Sequence, residues 1–211
     1  MEWIVAVCDA GLSLAAAWYA AHRTWEQPVK QNRLRLALLL AAAGGFASGY
    51  LLVLRVGTYL PNLLRMALLG VLLVMAACVD VQTHRIPNKI VLAAAAVFAA
   101  CTALDLVLSG TDALPMMING LVSAAVFFLV FFLLRVVAHG GIGYGDIKMI
   151  TASALILGVY GEFSFLLFSH VLAALVALVL LFTKKATRRS GLPFGPFFYL
   201  GYLDTILMGS F

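Results

Sequence analysis

Apolar positions along this chain gather into eight blocks, at about residues 3–21, 34–54, 62–81, 87–108, 114–138, 146–160, 163–183 and 194–209, with short polar connections between them. A membrane-spanning helix needs roughly 20 apolar residues, fewer where it is broken or backed by protein. The pattern therefore predicts an all-α, polytopic integral membrane bundle of about eight transmembrane segments. The longest polar connection, His22 to Arg33, is too short to hold a soluble domain, so residues 1–211 read as one membrane-embedded domain. The first block is too long, and too acidic at its start, for a cleaved signal peptide with a basic leader.

Composition strengthens the pattern. Of 211 residues, 64% are hydrophobic and only 11% charged, whereas charged residues supply about a quarter of an ordinary soluble domain. Lipid has to be the solvent. The net charge of +5 then reports orientation rather than an acidic partner, and no nucleic acid is expected. Cys8, Cys78 and Cys101 are scattered through apolar blocks with no CxxC pair, so they read as small core residues rather than a zinc site or disulfide framework.

Alternating the loops across the membrane gives a direction. With the N-terminus outside, the inner loops carry Arg23, Lys30, Arg33, Arg35, Arg85, Lys89, Arg135, Lys148, Lys184, Lys185, Arg188 and Arg189, and only Arg55 and Arg65 fall outside. Basic residues gather in cytoplasmic loops, which supports both the segment count and the orientation. Glu2, Asp105, Asp112 and Glu162 then lie outside. Trp3, Trp18, Tyr19 and Trp25 flank the first segment as an aromatic belt would. Gly45-x-x-x-Gly49 offers a small-residue face for close helix packing, and Pro87 suits the start of the fourth helix.

Two acids remain on the inner face beside Glu26. Asp80 ends the third segment in VDVQTHRIPN, and Asp146 opens the sixth in GIGYGDIK. An odd-numbered helix running inward and an even-numbered helix running outward bring both carboxylates to one leaflet. With Glu162 at the outer interface, 16 residues of helix span roughly 24 Å, which sets Asp146 below the inner surface of a core about 30 Å thick. A charged Asp at depth costs roughly 2.5–3.5 kcal/mol, which makes it a functional candidate. Gly140, Gly141, Gly143 and Gly145 read as non-helical backbone facing a wet cavity. Two carboxylates sharing such a site cannot both ionise easily, so one can activate water while the other polarises a carbonyl.

Two other machines use such residues. Potassium-channel filters carry a GYG run, but Gly141-Ile142 stands where a filter has Thr-Val, no separate amphipathic pore helix precedes it, and the run falls on the inner side. A cation- or proton-coupled transporter would use Asp80 and Asp146 as ion ligands.

Three motifs resemble the type IV prepilin peptidase family: Asp80 followed by Ile86-Pro87-Asn88, Gly143-Tyr-Gly-Asp146-Ile-Lys148 as GxGDxK, and Leu192-Pro193-Phe194-Gly195-Pro196-Phe197 as a PFGP run. Together they anchor a catalytic core at about 62–200. The resemblance implies a membrane aspartic endopeptidase without metal or cofactor, with Asp80 and Asp146 as the catalytic pair. Its partner would be a prepilin or pseudopilin precursor with a basic leader before an apolar helix, cut at the cytoplasmic face of a prokaryotic inner membrane. Gly143, Gly145, Lys148, Pro87 and Asn88 would support the site, and Pro193, Phe194, Gly195 and Pro196 would shape the substrate groove. Bifunctional members carry a cysteine-bearing insertion after the first helix and also methylate the product; here only His22 to Arg33 occupies that place, which implies a peptidase without N-methylation. Lys148 is expected to reach lipid phosphate or to bias the Asp80 charge, His84 to be a plain loop residue or a local tuner of Asp80, and His139 and His170 to be structural. Asp9 and Asp204 are expected to serve packing or a polar contact.

Overall fold

Backbone amides and carbonyls inside lipid must find partners within the chain, and helices achieve this segment by segment. A computed structural model describes residues 2–24, 31–56, 59–139, 141–184 and 191–209, and among these there is no strand. The helices are α1 (Glu2–Thr24), α2 (Gln31–Val56), α3 (Leu60–Thr83), α4 (Asn88–Ser109), α5 (Leu114–Val137), α6 (Tyr144–Phe182) and α7 (Gly195–Met208), with a 3-10 turn at Gly110–Ala113 joining α4 to α5. Each of the eight expected segments falls on helix. Among the described residues three stretches are long and apolar enough to cross a membrane: α3, the α4–α5 run and α6. Trp25, Glu26, Lys30, Gly140, Lys185, Arg188 and Arg189 lie outside the described residues, as do the side chains of Glu2, Trp3, Arg23, Arg33 and Arg35.

The sixth and seventh expected segments are one element, α6, broken at Gly158. That residue takes φ 70° and ψ −174°, a region open in practice only to glycine. The arms fold back on each other: Ser153 donates a 3.0 Å hydrogen bond to Glu162, nine residues on, which a straight helix would hold roughly 13 Å away. Asn119 of α5 secures the bend by accepting from the Val159 amide at 3.3 Å. Glu162 is fully buried against Ser153, and because the bend lies between it and Asp146 a straight-helix depth for Asp146 does not hold.

Close packing of α1 on α2 follows the Gly45/Gly49 face. A Cβ at Gly49 would lie 2.7 Å from Ala6 Cα, and one at Gly45 would lie 2.8 Å from the Asp9 carbonyl. Asp9 is buried in that seam and accepts from Ser48, as a packing role requires. The main core forms where α3, α4, α6 and α7 meet, around Leu69, Leu73, Ile90, Met149, Phe165 and Phe198. Arg65 and Asp105 pair at 3.5 Å at the end of α3 and α4 remote from Asp80, with Tyr59 also donating to Asp105. Of the cysteines, only Cys101 is a core residue; Cys78 is half-buried and Cys8 exposed.

Gly158→Ala should test the bend. A methyl group there meets Asn119 Nδ2 at 2.5 Å and forces an L-residue into strained backbone, a cost of about 1–3 kcal/mol. The variant is expected to melt several degrees below wild type in detergent; an unchanged melting temperature would show that the bend is not needed.

Candidate active site

Asp80 sits one turn before the end of α3. The chain leaves the helix at His84, which adopts the left-handed conformation (φ 49°) and donates its backbone N–H to the Asp80 carbonyl at 2.9 Å. Ile86 then turns inward and is buried, and Pro87 caps α4 so that Asn88 is its first residue. Asp146 is the third residue of α6, after Gly143 as N-cap, so its carboxylate lies at the positive end of the helix dipole.

Both carboxylates line one cavity of about 580 Å³, together with His84, Arg85, Ile86, Gly143, Tyr144, Gly145, Lys148, Gly191, Leu192 and Phe194. The structure thus brings together two acids 66 residues apart in sequence. The third motif closes the cavity. The Gly195 amide, at the start of α7, donates to Asp80 Oδ2 at 2.7 Å. A Cβ at Gly195 would lie 2.9 Å from both Ala77 Cα and Asp80 Cβ, so only glycine lets α7 approach closely enough for this bond.

The other expected residues divide. Asn88 accepts a hydrogen bond from Lys148 Nζ at 2.8 Å, which ties the start of α4 to α6. Lys148 therefore has a protein partner, and it lines the same cavity as Asp80. His84 also lines the cavity. Gly143 and Gly145 matter for space rather than for unusual dihedrals, since neither has positive φ. A Cβ would lie 2.9 Å from Asp146 Oδ2 at Gly143 and 3.3 Å from the Ile86 amide at Gly145. Phe194 lines the cavity, whereas Pro196 faces a separate apolar groove, and Pro87 and Pro193 line neither. His139 is exposed with φ 50°. His170 packs its ring 5.0 Å from that of Phe194.

Sequence reasoning passed over Arg135 and Tyr144. The Arg135 guanidinium donates to the Ile142 carbonyl and lies 3.8 Å over the centroid of the Tyr144 ring. One cation thus clamps both sides of Gly143, and Tyr144, the variable position of GxGD, serves as its platform. The available signal was a lone arginine ending an apolar helix. Among the described residues no three His, Cys, Asp or Glu side chains converge to hold a metal ion.

Fold and site define an all-helical membrane protein with a paired-carboxylate cavity at one end of its bundle. Within that class, the chain belongs to the type IV leader peptidase family, whose model matches residues 66–178, a stretch that contains both acids and stops short of Gly195. It is also 30% identical over 139 residues to the prepilin leader peptidase/N-methyltransferase of Bacillus subtilis (strain 168), covering 66% of this chain and 53% of that protein. The chain spans about half the length of this curated relative. No solved structure matches.

A double-mutant cycle tests the clamp. Arg135→Ala and Tyr144→Ala should each lower thermal stability, and the pair should be non-additive by about 0.5–1 kcal/mol, the strength of an exposed cation–π contact. Strict additivity would mean that the stacking contributes nothing.

Proposed function

We propose that this protein is an aspartic endopeptidase that removes the basic leader from type IV prepilin or pseudopilin precursors at the cytoplasmic face of a prokaryotic inner membrane. The observation that carries the reading is the shared cavity of Asp80 and Asp146, within a family of leader peptidases. All eight apolar segments would cross or enter the bilayer, with the N-terminus outside and the cavity inside. That orientation rests on the arginines and lysines of the inner loops.

Hydrolysis in such a cavity needs no covalent intermediate. Two like charges in one small site are costly, so the pair holds a single proton. The ionised carboxylate takes a proton from water as its oxygen attacks the scissile carbonyl carbon. The protonated one gives its proton to the carbonyl oxygen, forming a neutral tetrahedral diol. Collapse breaks the C–N bond as the amine nitrogen receives the dyad's proton, while a diol hydroxyl gives its proton to the ionised carboxylate, so the pair again holds one proton. The Gly195 amide orients Asp80 by occupying Oδ2, which leaves Oδ1 for water or substrate. Lys148, held by Asn88, keeps a positive charge at the cavity edge.

The product would leave unmethylated, because the stretch from His22 to Arg33, where bifunctional members carry their insertion, is short and contains no cysteine. Arg85 and Lys148 at the cavity mouth repel a basic leader, so anionic lipid and the dyad must supply its attraction. The family match does not favour the cation-transport alternative.

Co-expression with a prepilin, followed by gel shift, tests the reading. Wild type should remove the leader, and Asp80→Asn and Asp146→Asn should each slow cleavage by about 10²–10⁴-fold, the usual contribution of an acid–base group. Wild-type rates from either variant, correctly inserted, would rule out the dyad.

A further inference from the structure

The dyad cavity does not end at the carboxylates. Its wall at Gly143, Asp146 and Phe194 is shared with a second cavity of about 640 Å³, enclosed by α5, both arms of α6 and the start of α7. The two differ in chemistry. Asp80, Arg85 and Lys148 line the first, whereas Asp146 and His170 are the ionisable residues lining the second among the described residues. Those two stand symmetrically about the bend, 12 residues before and 12 after Gly158, so they mark the same end of the groove. From there it runs to Phe163, seven residues along the second arm, or roughly 10 Å and two helical turns.

We propose that this groove receives the first two turns of the apolar segment following the scissile bond, while the leader lies in the polar cavity. The inference rests on the peptidase reading. Continuity at Asp146 is its basis: a chain crossing the dyad must leave the polar cavity, and the shared wall opens onto apolar surface. Access is the second argument. The groove's own lining is open to the surface, since Leu134 of α5 and Phe163 and Leu167 of the second arm of α6 are exposed. An apolar helix already in the bilayer can therefore arrive sideways, without passing through water. A further apolar groove of about 570 Å³ lies between α2, α3 and α7, around Ala41, Cys78 and Leu200, and touches neither acid. It serves as a built-in control.

The test uses the full chain in nanodiscs and a synthetic peptide with a lysine-rich leader followed by about 20 apolar residues, photoreactive benzoylphenylalanine standing third after the bond. Cross-links are expected on Phe131, Phe163 or Leu167 and not around Leu200. Leu167→Trp, which fills the groove, should raise KM by about tenfold, the value of one displaced apolar side chain, with a smaller effect on a peptide truncated two residues past the bond. Leu200→Trp should match wild type on both. Cross-links to the second groove or to lipid alone, or an unchanged KM in Leu167→Trp, would overturn the groove while cleavage persists. If wild type cuts neither peptide, the peptidase reading fails first and the groove falls with it.

Discussion

An apolar bundle has few means of holding a carboxylate in one place, and the 2.7 Å bond from the Gly195 amide to Asp80 Oδ2 supplies one. It needs a backbone that comes within van der Waals distance of α3, and the missing Cβ at Gly195 allows this. The rest of α7 is arranged to keep that approach. Tyr202 donates to the Met66 carbonyl, and Gly201 lies against Ser169 and Phe165 of α6. Phe165 stacks on Phe198 with centroids 5.5 Å apart. The last helix thus holds α3 and α6 together, so the helices that carry Asp80 and Asp146 share one wedge.

Around that wedge, polar groups are handled differently at the two ends. At the far end Arg65 and Asp105 form a buried pair, with Tyr59 and Asn62 taking part of their remaining capacity. Such a pair neutralises itself and gives register more than stability. At the cavity end the two acids share open space with Arg85 and Lys148, and Lys148 is tied to Asn88 rather than to either carboxylate. The family to which the chain belongs fits that division.

Much of the helical layout was legible along the chain, because in lipid an apolar block of sufficient length has one backbone solution and its ends are marked by charge and proline. The two acids were legible for a related reason, since alternating helices carry sequence-remote residues to one end of a bundle. The Gly45/Gly49 seam also could be read, as spacing alone places both on one face. What the sequence by itself determined, then, was which stretches are helical and which side chains share an end.

Contacts between elements were decided only by the tertiary structure. The bend at Gly158 sits in an apolar run whose pattern suggests two spans but not the glycine-only dihedrals that join them, and it brings Glu162 against Ser153. Gly143 and Gly145 read alike as non-helical backbone, yet Gly143 is extended while Gly145 lies inside α6, where a Cβ would press on the Ile86 amide. Arg135 counted only as an orientation charge until Tyr144 lay beneath it. In each case the deciding quantity is the distance to an atom elsewhere in the fold, which neither local propensity nor periodicity encodes.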